Sequence, residues 1–456
     1  TDHQSARKER KGRPGDRIEE ASDIGLDQAA AHFAAAYAGP PAASRTGGEP
    51  AVRYPIDNHE LPLLFGTYGD EGRIRRWLPG LPARIAPDAC NHLKNRALPP
   101  SHRRRSDHDR LPADLGLLPI PRATLRDAGR YVTMGFALAY DVMTGKEVAL
   151  SAHRMLAIGA DHLGLWMLPS RRLRRLRENA CRHGLGLPIT VNIGAPPAAV
   201  VSAATNADGL PPEMDKLNLA GALANQPLEL TAAPSGAPMF AMSDIVIDGV
   251  LTGDDVDETN DEQAVTMPEF LGYDGRGRAK LAVMRVTSIA FRPDASFMAT
   301  IGPGREQSSI LGLGGALSLA LSDVDSDAPT RINDLRFSHA GGGMLLLFVS
   351  VQKQDDVTLE PLARRLIEVC PFTKIVVFVD EDVSVHSEED VLWAMTTRAQ
   401  LAVDMRPIEG FPALHMDPSQ SDGWCTETKA PALKTMIDAT IPVALRSHCQ
   451  RSFSPH

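Results

Sequence analysis

Between positions 130 and 325, apolar residues fall mostly in short runs bounded by turn-forming residues, a pattern typical of β-strands. The candidate strands are RYVTMGFALAYD, EVALSAHRMLA, LGLWML, PITVNIG, LELTAA, DIVIDGVLT and KLAVMRVTSIAF. The candidate helices between them are SRRLRRLRENACRHG, PPAAVVSAATNA, PEMDKLNLAGALA and EQSSILGLGGALSLALSDV. Many strands with few helices predict a barrel or a sandwich for this part of the chain.

The pattern differs on either side of this region. Residues 1–25 alternate charges with Gly and Pro and predict a flexible tail. An alanine-rich helix is expected from Leu26, and ELPLLFGTYGDEGRIRRWL predicts a strand that leads into a short helix. After residue 330, strands and helices alternate in GMLLLFVSVQ, LEPLARRLIEV, FTKIVVFVDED and SEEDVLWAMTTRA. That alternation predicts an α/β domain with a partly parallel sheet.

Length and charge limit the classes of protein to which this chain can belong. At about 150 residues per domain, 456 residues suggest about three domains. The 48 Lys+Arg and 57 Asp+Glu give a net charge of −9, which argues against general attraction to nucleic acid or anionic lipid. No apolar run approaches the roughly 20 residues of a membrane span. The five scattered cysteines fit reduced thiols, so we expect a cytoplasmic protein that does not engage membranes.

The segment LGLWMLPSRRLRRLRE carries candidate chemistry. Its strand stops at Pro169, Ser170 is a residue type that caps helices, and Arg171 and Arg172 would fall in the first turn. Cations at a helix N-terminus oppose the helix dipole unless an anion lies between them, so a phosphate site is one interpretation. A solvated basic helix face is the other.

Two acidic runs are also prominent. The run 254–262, DDVDETNDE, lacks the glycine of a calcium loop and predicts a self-repelling, mobile surface loop. The carboxylates of 379–383, VDEDV, close a buried strand and are interpreted either as catalytic groups or as caps for neighbouring backbone.

Several stretches, read in order from about residue 130 to 443, resemble the UbiD family of prenylated-FMN-dependent decarboxylases. They are RYVTMGFALAYDVMTG, SAHRM, PSRRL, LNLAGALANQPLEL, SDIVIDG, PEFLGYDG, VTSIAFRPDA, FTKIVVFVDEDV with EEDVLWAMTTRA, and MIDAT. The resemblance implies a mixed α/β fold with a central split β-barrel that holds the flavin. The implied segments are a tail (1–25), an N-terminal α/β region (26–120), the split β-barrel (121–328) and a C-terminal α/β domain with dimer contacts (329–456).

The resemblance also implies an activity, namely non-oxidative decarboxylation of an α,β-unsaturated or aromatic carboxylic acid. The cofactor would be prenylated FMN supplied by a flavin prenyltransferase, and the protein would be a homodimer or a higher homo-oligomer. By position, Arg154 in SAHRM matches the family's arginine, and Glu269 in MPEFLGY matches its proton-donating acid. An acid in this role needs a pKa tuned by the arginine and by burial.

The flavin site implied by the resemblance departs from the family pattern. The family's three metal ligands, Asn, His and Glu, are replaced here by Ala149, Arg172 and Lys216, which do not suit a hard dication. We expect no metal and infer that the two cations pair with the flavin phosphate directly. The full set of expected cofactor-binding residues is Ala152, His153, Arg154, Trp166, Met167, Leu168, Arg171, Arg172 and Lys216.

The first carboxylate of the family's Glu-Arg-Glu network is also altered, because its position is Ala264. Glu262 lies two residues earlier and would substitute if the loop bulges, so it is a third candidate catalytic residue. The leading hypothesis is a specialised decarboxylase, compatible with a bacterial secondary-metabolite pathway. The alternative is a UbiD-like fold kept as a non-catalytic protein or as a binder of plain FMN or another phosphorylated ligand. A nucleic-acid binder acting through 101–110 and 171–177 is disfavoured by the net charge.

Overall fold

The computed structural model describes most of the chain, which divides into two compact units. The described residues are 18–38, 49–206, 209–259, 265–268, 270–276, 280–302, 304–322, 324–325, 329–414, 417–419 and 431–452. Unit 1 comprises Thr1–Gly80, Leu98–Ala204 and Asp215–Gln307. Unit 2 comprises Leu81–Ala97, Thr205–Met214 and Ser308–His456.

The described strands include the predicted apolar runs. Those of unit 1 are β1 (Ile18–Glu20), β2 (Ala51–Tyr54), β3 (Leu63–Phe65), β4 (Ser101–His102), β5 (Asp109–Leu111), β6 (Tyr131–Val132), β7 (Gly135–Tyr140), β8 (Val148–Ala152), β9 (Met155–Ile158), β10 (His162–Leu165), β11 (Leu187–Ile193), β12 (Glu229–Ala232), β13 (Pro238–Phe240), β14 (Ile245–Asp257), β15 (Val265–Thr266), β16 (Gly275–Arg276), β17 (Lys280–Phe291) and β18 (Phe297–Met298). Those of unit 2 are β19 (Thr330–Phe337), β20 (Leu346–Lys353), β21 (Ile375–Asp380), β22 (Met405–Pro412) and β23 (Pro431–Ala439).

The predicted helices are present among the described α-helices, with ends shifted by a few residues. In chain order the α-helices are α1 (Leu26–Phe33), α2 (Glu71–Trp77), α3 (Pro87–Asn95), α4 (Arg172–Arg182), α5 (Pro197–Ala204), α6 (Lys216–Ala224), α7 (Arg305–Leu321), α8 (Glu360–Val369), α9 (Glu388–Arg398) and α10 (Leu401–Asp404). Among the residues described, no helix has both the length and the hydropathy needed to cross a membrane.

The centre of unit 1 is a nine-stranded sheet. Its neighbours run in the order β6-β9-β10-β17-β14-β11-β7-β8, and β5 pairs with the C-terminal end of β17. All of these pairs are antiparallel. The sheet therefore brings β6, the segment from β8 to β10, and β14 into one element, and these strands carry the candidate site.

The acidic run 254–262 is corrected by the structure. Its first four residues are not a loop but the end of β14, which pairs there with the start of β17. Side chains alternate between the two faces of a strand, so Asp255 and Asp257 are exposed while Val256 is half-buried. Because these acids face solvent and Asp257 contacts the Lys280 ammonium at 2.8 Å, this part of the run forms regular structure despite its charge, while residues 260–262 lie outside the described residues.

The predicted tail is corrected in part. Residues 1–17 lie outside the described residues, but Ile18–Glu20 form β1, which pairs in parallel with β2. Main-chain hydrogen bonds hold this strand, and they require no apolar periodicity in the sequence.

Unit 2 contains the predicted partly parallel sheet, in the order β19-β20-β21-β23-β22. The three central strands are parallel and the two outer pairs are antiparallel. Phe348, Val377 and Val379 pack with Val391 and Ala394 of α9, so a hydrophobic core of this unit lies between sheet and helix. The prediction of an α/β arrangement after residue 330 is confirmed.

Candidate active site

The structure pairs Arg154 with a buried carboxylate. Arg154 lies between β8 and β9, and its Nη2 donates to Oε2 of Glu258 at 2.8 Å. The Arg154 side chain is only 12% exposed, and its guanidinium carbon lies 4.8 Å from the centre of the Trp166 ring. An arginine held by a carboxylate on one side and an aromatic face on the other has a fixed position.

The side chain of Glu258 is fully buried and accepts from two donors. Its Oε1 accepts a hydrogen bond from the Tyr131 hydroxyl at 3.0 Å, while Arg154 binds the other oxygen. Burial raises the pKa of the Glu258 carboxyl, and Arg154 and the Tyr131 hydroxyl oppose that rise. Glu258 directly follows Asp257, the last residue of β14, and lies two residues after half-buried Val256, so it continues the alternation of the strand onto the buried side.

Glu258 is the functional candidate that sequence reasoning missed. The resemblance placed the partner of Arg154 at Ala264 or Glu262, and both lie outside the described residues, as does Glu269. The available signal was the i, i+2 spacing of Val256 and Glu258, which continues the alternation of the preceding strand. The acidic residues around Glu258 masked that alternation.

His153 is the centre of a second cluster. Its Nδ1 lies 3.0 Å from the Trp166 carbonyl oxygen, and its Nε2 lies 2.7 Å from the Ser151 hydroxyl. A carbonyl only accepts, so Nδ1 carries the proton and Nε2 accepts from Ser151. Burial lowers the pKa of His153 to about 4, with further lowering by the charges of Arg171 and Lys216. The imidazole is therefore neutral near pH 7.

Lys216 and Arg171 are the two cations whose charges lower the pKa of His153. Lys216 is the first residue of α6, which Asp215 caps, and its buried Nζ donates to the carbonyl of Ala203 at 2.8 Å. Arg171 is exposed and occupies the N-cap position of α4, so it precedes the first turn in which it was expected.

The expected cap at Ser170 is therefore wrong. The Arg171 amide donates to the Leu168 carbonyl at 3.0 Å, and this tight turn places Ser170 before the helix. Of the other predicted cofactor residues, Met167 is buried just before this turn, Leu168 is half-buried at its start, and Ala152 is exposed at the end of β8.

Arg172, the first residue of α4, contacts two groups in the segment that leads into β8. Its Nε lies 3.3 Å from Oε1 of Glu147, and its Nη1 donates to the Val148 carbonyl at 3.3 Å. Arg175 pairs with the same carboxylate. Arg172 thus shares the Glu147 carboxylate with Arg175, and Arg171 is one of the two cations whose charges lower the pKa of His153.

The residues at the expected metal positions do not fit a divalent metal. Ala149 is buried within β8 and offers no side-chain donor, and Arg172 and Lys216 are cations. Within the described residues, no three His, Cys, Asp or Glu side chains cluster as metal ligands would. Cations suit an anion such as a flavin phosphate. Arg172, one of the two cations expected there, contacts Glu147, while Lys216 and Arg171 are the cations whose charges lower the pKa of His153.

The carboxylates of 379–383 have structural partners within unit 2. Arg398 donates to Asp380 at 2.9 Å and to both oxygens of Asp382 at 2.7 Å. Asp380 also accepts from the amide of Ile441 at 2.8 Å. The Ile441 contact is the backbone cap that one interpretation expected, and the Arg398 contacts are ion pairs that neither interpretation named.

Comparison with known proteins defines the class. Residues 96–306 match the 3-octaprenyl-4-hydroxybenzoate carboxy-lyase Rift-related domain, and residues 312–439 match the corresponding C-terminal domain. The chain belongs to the UbiD family, and it is a carboxy-lyase, that is, a decarboxylase. The predicted mixed α/β, UbiD-like fold is confirmed.

Individual relatives are moderately similar over most of their length. Gallate decarboxylase of Lactiplantibacillus plantarum is 29% identical over 74% of this chain and 70% of its own. The apo 3,4-dihydroxybenzoic acid decarboxylase of Klebsiella pneumoniae superposes with a TM-score of 0.87 at 27% identity, covering 99% of this chain and 97% of that one. The UbiD-class enzyme HmfF of Pelotomaculum thermopropionicum, solved in complex with FMN, shares the fold with a TM-score of 0.80 at 24% identity, covering 96% and 94%.

Proposed function

We propose that this protein decarboxylates an α,β-unsaturated or aromatic carboxylic acid with prenylated FMN as its cofactor. The observation that carries the proposal is the buried ion pair of Arg154 and Glu258 against Trp166. Such a pair is costly to bury and is expected where an ionisable group has a task to perform. Gallate decarboxylase and the dihydroxybenzoic acid decarboxylase are named for aromatic acids, which supports the aromatic substrate class.

Family membership and the charges of the site support the proposal that the cofactor is a flavin. In this chain, Ala152, Arg154 and Trp166 would line the ring system, and Arg171 and Lys216 would hold the phosphate. Bound prenylated FMN would supply an electron sink for the pair of electrons that remains when carbon dioxide departs.

The chain's own residues then have separate tasks. Arg154 orients the substrate carboxylate, and Glu258 holds Arg154 against Trp166 so that the orientation persists through the reaction. Glu269, assigned by family resemblance, returns a proton to the carbon that has lost its carboxyl group. In this proposal Glu258 has the role of the family's first carboxylate, whose position by resemblance is Ala264 and for which Glu262 was the expected substitute.

We infer in addition that the phosphate is held by Arg171 and Lys216 without a metal. Lys216→Glu should weaken FMN binding at least about tenfold, since it replaces attraction by repulsion at a buried position. Lys216→Met, which keeps the length and apolar stem of the side chain, should also weaken FMN binding. Arg182→Glu is the matched control, because it makes the same change of charge at the exposed C-terminal end of α4.

Titrations of FMN fluorescence with and without EDTA give the readout. We expect the same affinity in EDTA, weaker binding in both Lys216 variants and no change in Arg182→Glu. Loss of binding in EDTA, or unchanged affinity in the two Lys216 variants, contradicts the inference.

The activity itself is tested by producing the protein together with a flavin prenyltransferase. Absorbance and mass spectra should identify a bound prenylated flavin, and a panel of aromatic and α,β-unsaturated acids should release carbon dioxide. Glu269→Gln should lose turnover while it retains cofactor. A protein that binds flavin but turns over no acid, with no dependence on Glu269, would instead be a binding protein for plain FMN or a phosphorylated ligand.

Three expectations accompany this proposal and stay predictions. They are assembly as a homodimer through residues 329–456, supply of the cofactor by a flavin prenyltransferase, and a place in a bacterial secondary-metabolite pathway. Sedimentation of the holoprotein addresses the first of them.

A further inference from the structure

Tyr131 lies directly behind the Arg154–Glu258 pair. It is the first residue of β6, opposite Leu156 in the pairing of β6 with β9, and only 1% of it is exposed. Its ring packs in a cluster with Leu156 and Leu281. The ring is therefore fixed by apolar packing, and its hydroxyl is its only polar side-chain group.

That hydroxyl acts as a donor. Burial raises the pKa of Tyr131 well above its ordinary value, with a further rise from the nearby Glu258 charge, so the phenol keeps its proton at working pH. It donates to Oε1 of Glu258 while Arg154 donates to Oε2. Two donors from different parts of the sheet thus fix the position and the plane of one carboxylate.

We propose that Tyr131 is a positioning residue that acts through Glu258 to hold Arg154 in place over Trp166. The proposal rests on the decarboxylase function proposed above. Among the described residues, the charged groups that act on the Tyr131 hydroxyl are Arg154, Glu258 and Asp127. Asp127 is held separately, because it accepts hydrogen bonds from the hydroxyl and amide of Thr124.

The first test is Tyr131→Phe, which removes the hydroxyl and keeps the ring. Without this donor the ionised form of Glu258 is less stabilised, so the acid limb of the kcat/KM profile for carbon dioxide release should move up by about one pH unit. Tyr54→Phe is the matched control, since Tyr54 is equally buried and its hydroxyl bonds with His32 instead. The control should leave the acid limb in place.

The second test needs no cofactor or substrate. Urea unfolding of the apoprotein is measured for Tyr131→Phe, Glu258→Gln and the double variant. Each substitution changes the unfolding equilibrium constant by a factor, and the factor of the double variant is compared with the product of the factors of the two single variants. If Tyr131 acts through Glu258, these two numbers should differ by about fivefold or more. Independent effects of the two substitutions would mean that Tyr131 only fills space, and would overturn the proposal.

A third variant guards against misfolding. Site-specific 3-fluorotyrosine at position 131 keeps the hydroxyl and makes it more acidic, so the hydrogen bond strengthens and the acid limb should move to lower pH, opposite to the shift in Tyr131→Phe. An acid limb that moves with neither variant, or in the same direction with both, refutes the positioning role. If the wild-type protein releases no carbon dioxide, the decarboxylase proposal fails by itself, and the apoprotein cycle still decides whether Tyr131 and Glu258 are coupled.

Discussion

One buried carboxyl group, that of Glu306, should make the protein less stable as pH rises from about 4.5 to 7. Glu306 lies in the first turn of α7, is buried, and accepts from the amides of Gly66 at 3.1 Å and Tyr68 at 2.9 Å. Burial raises its pKa from 4.5 to about 7, and the adjacent Glu49 charge contributes to the rise. Between those two values the folded protein binds the proton and the unfolded chain does not, so folding is favoured at the acidic end.

The magnitude follows from that rise in pKa. A change from 4.5 to about 7, at about 1.4 kcal/mol per pH unit, corresponds to about 3 kcal/mol of stability that is present below pH 4.5 and lost above pH 7. Glu306→Gln cannot lose a proton, but its amide nitrogen cannot accept from a backbone amide, which costs about 1 kcal/mol at every pH. The variant should therefore be the less stable protein at pH 4 and the more stable one at pH 8, with the two curves crossing near pH 5.

Urea unfolding at several pH values between 4 and 8, followed by tryptophan fluorescence, measures both curves. Glu60→Gln is the control, because Glu60 is exposed in the same unit and its curve should run parallel to that of the wild-type protein. Parallel curves for the wild-type protein and Glu306→Gln, with no crossing, would show that Glu306 does not change protonation between folded and unfolded states and would refute the reasoning.

Three further predictions concern the site and the thiols. Arg154→Lys keeps the charge but loses the planar stacking on Trp166, so kcat/KM for carbon dioxide release should fall at least about tenfold, and an unchanged value would remove Arg154 from the site. The lowered pKa of His153 predicts ring ¹⁵N NMR shifts that do not change between pH 6 and 8, and a titration in that range would contradict the neutral assignment. At pH 8, peptide mapping after treatment with a thiol reagent should find exposed Cys449 labelled in the folded protein, whereas buried Cys90, whose pKa is raised to about 12, should be labelled only on unfolding; early labelling of Cys90 would contradict its burial.

Much of the secondary structure and of the class can be predicted from the sequence alone. Periods of two and of 3.6 residues record which side of each strand or helix is buried, and burial of apolar surface is a local requirement of each element. Hence KLAVMRVTSIAF predicted β17 to the residue, and the alternation after residue 330 predicted the partly parallel sheet. Arg154 was identified from an equally local signal, the short string around it.

The partners of the charged groups follow only from the three-dimensional arrangement. Glu258 lies 104 residues from Arg154 and 127 residues from Tyr131, and no local pattern records such pairings. Likewise, the string PSRRL does not show that Arg172 contacts Glu147 or that the charge of Arg171 lowers the pKa of His153. Burial of apolar side chains produces a local periodicity in the sequence. The neutralisation of a buried charge depends instead on which strands the whole sheet brings together.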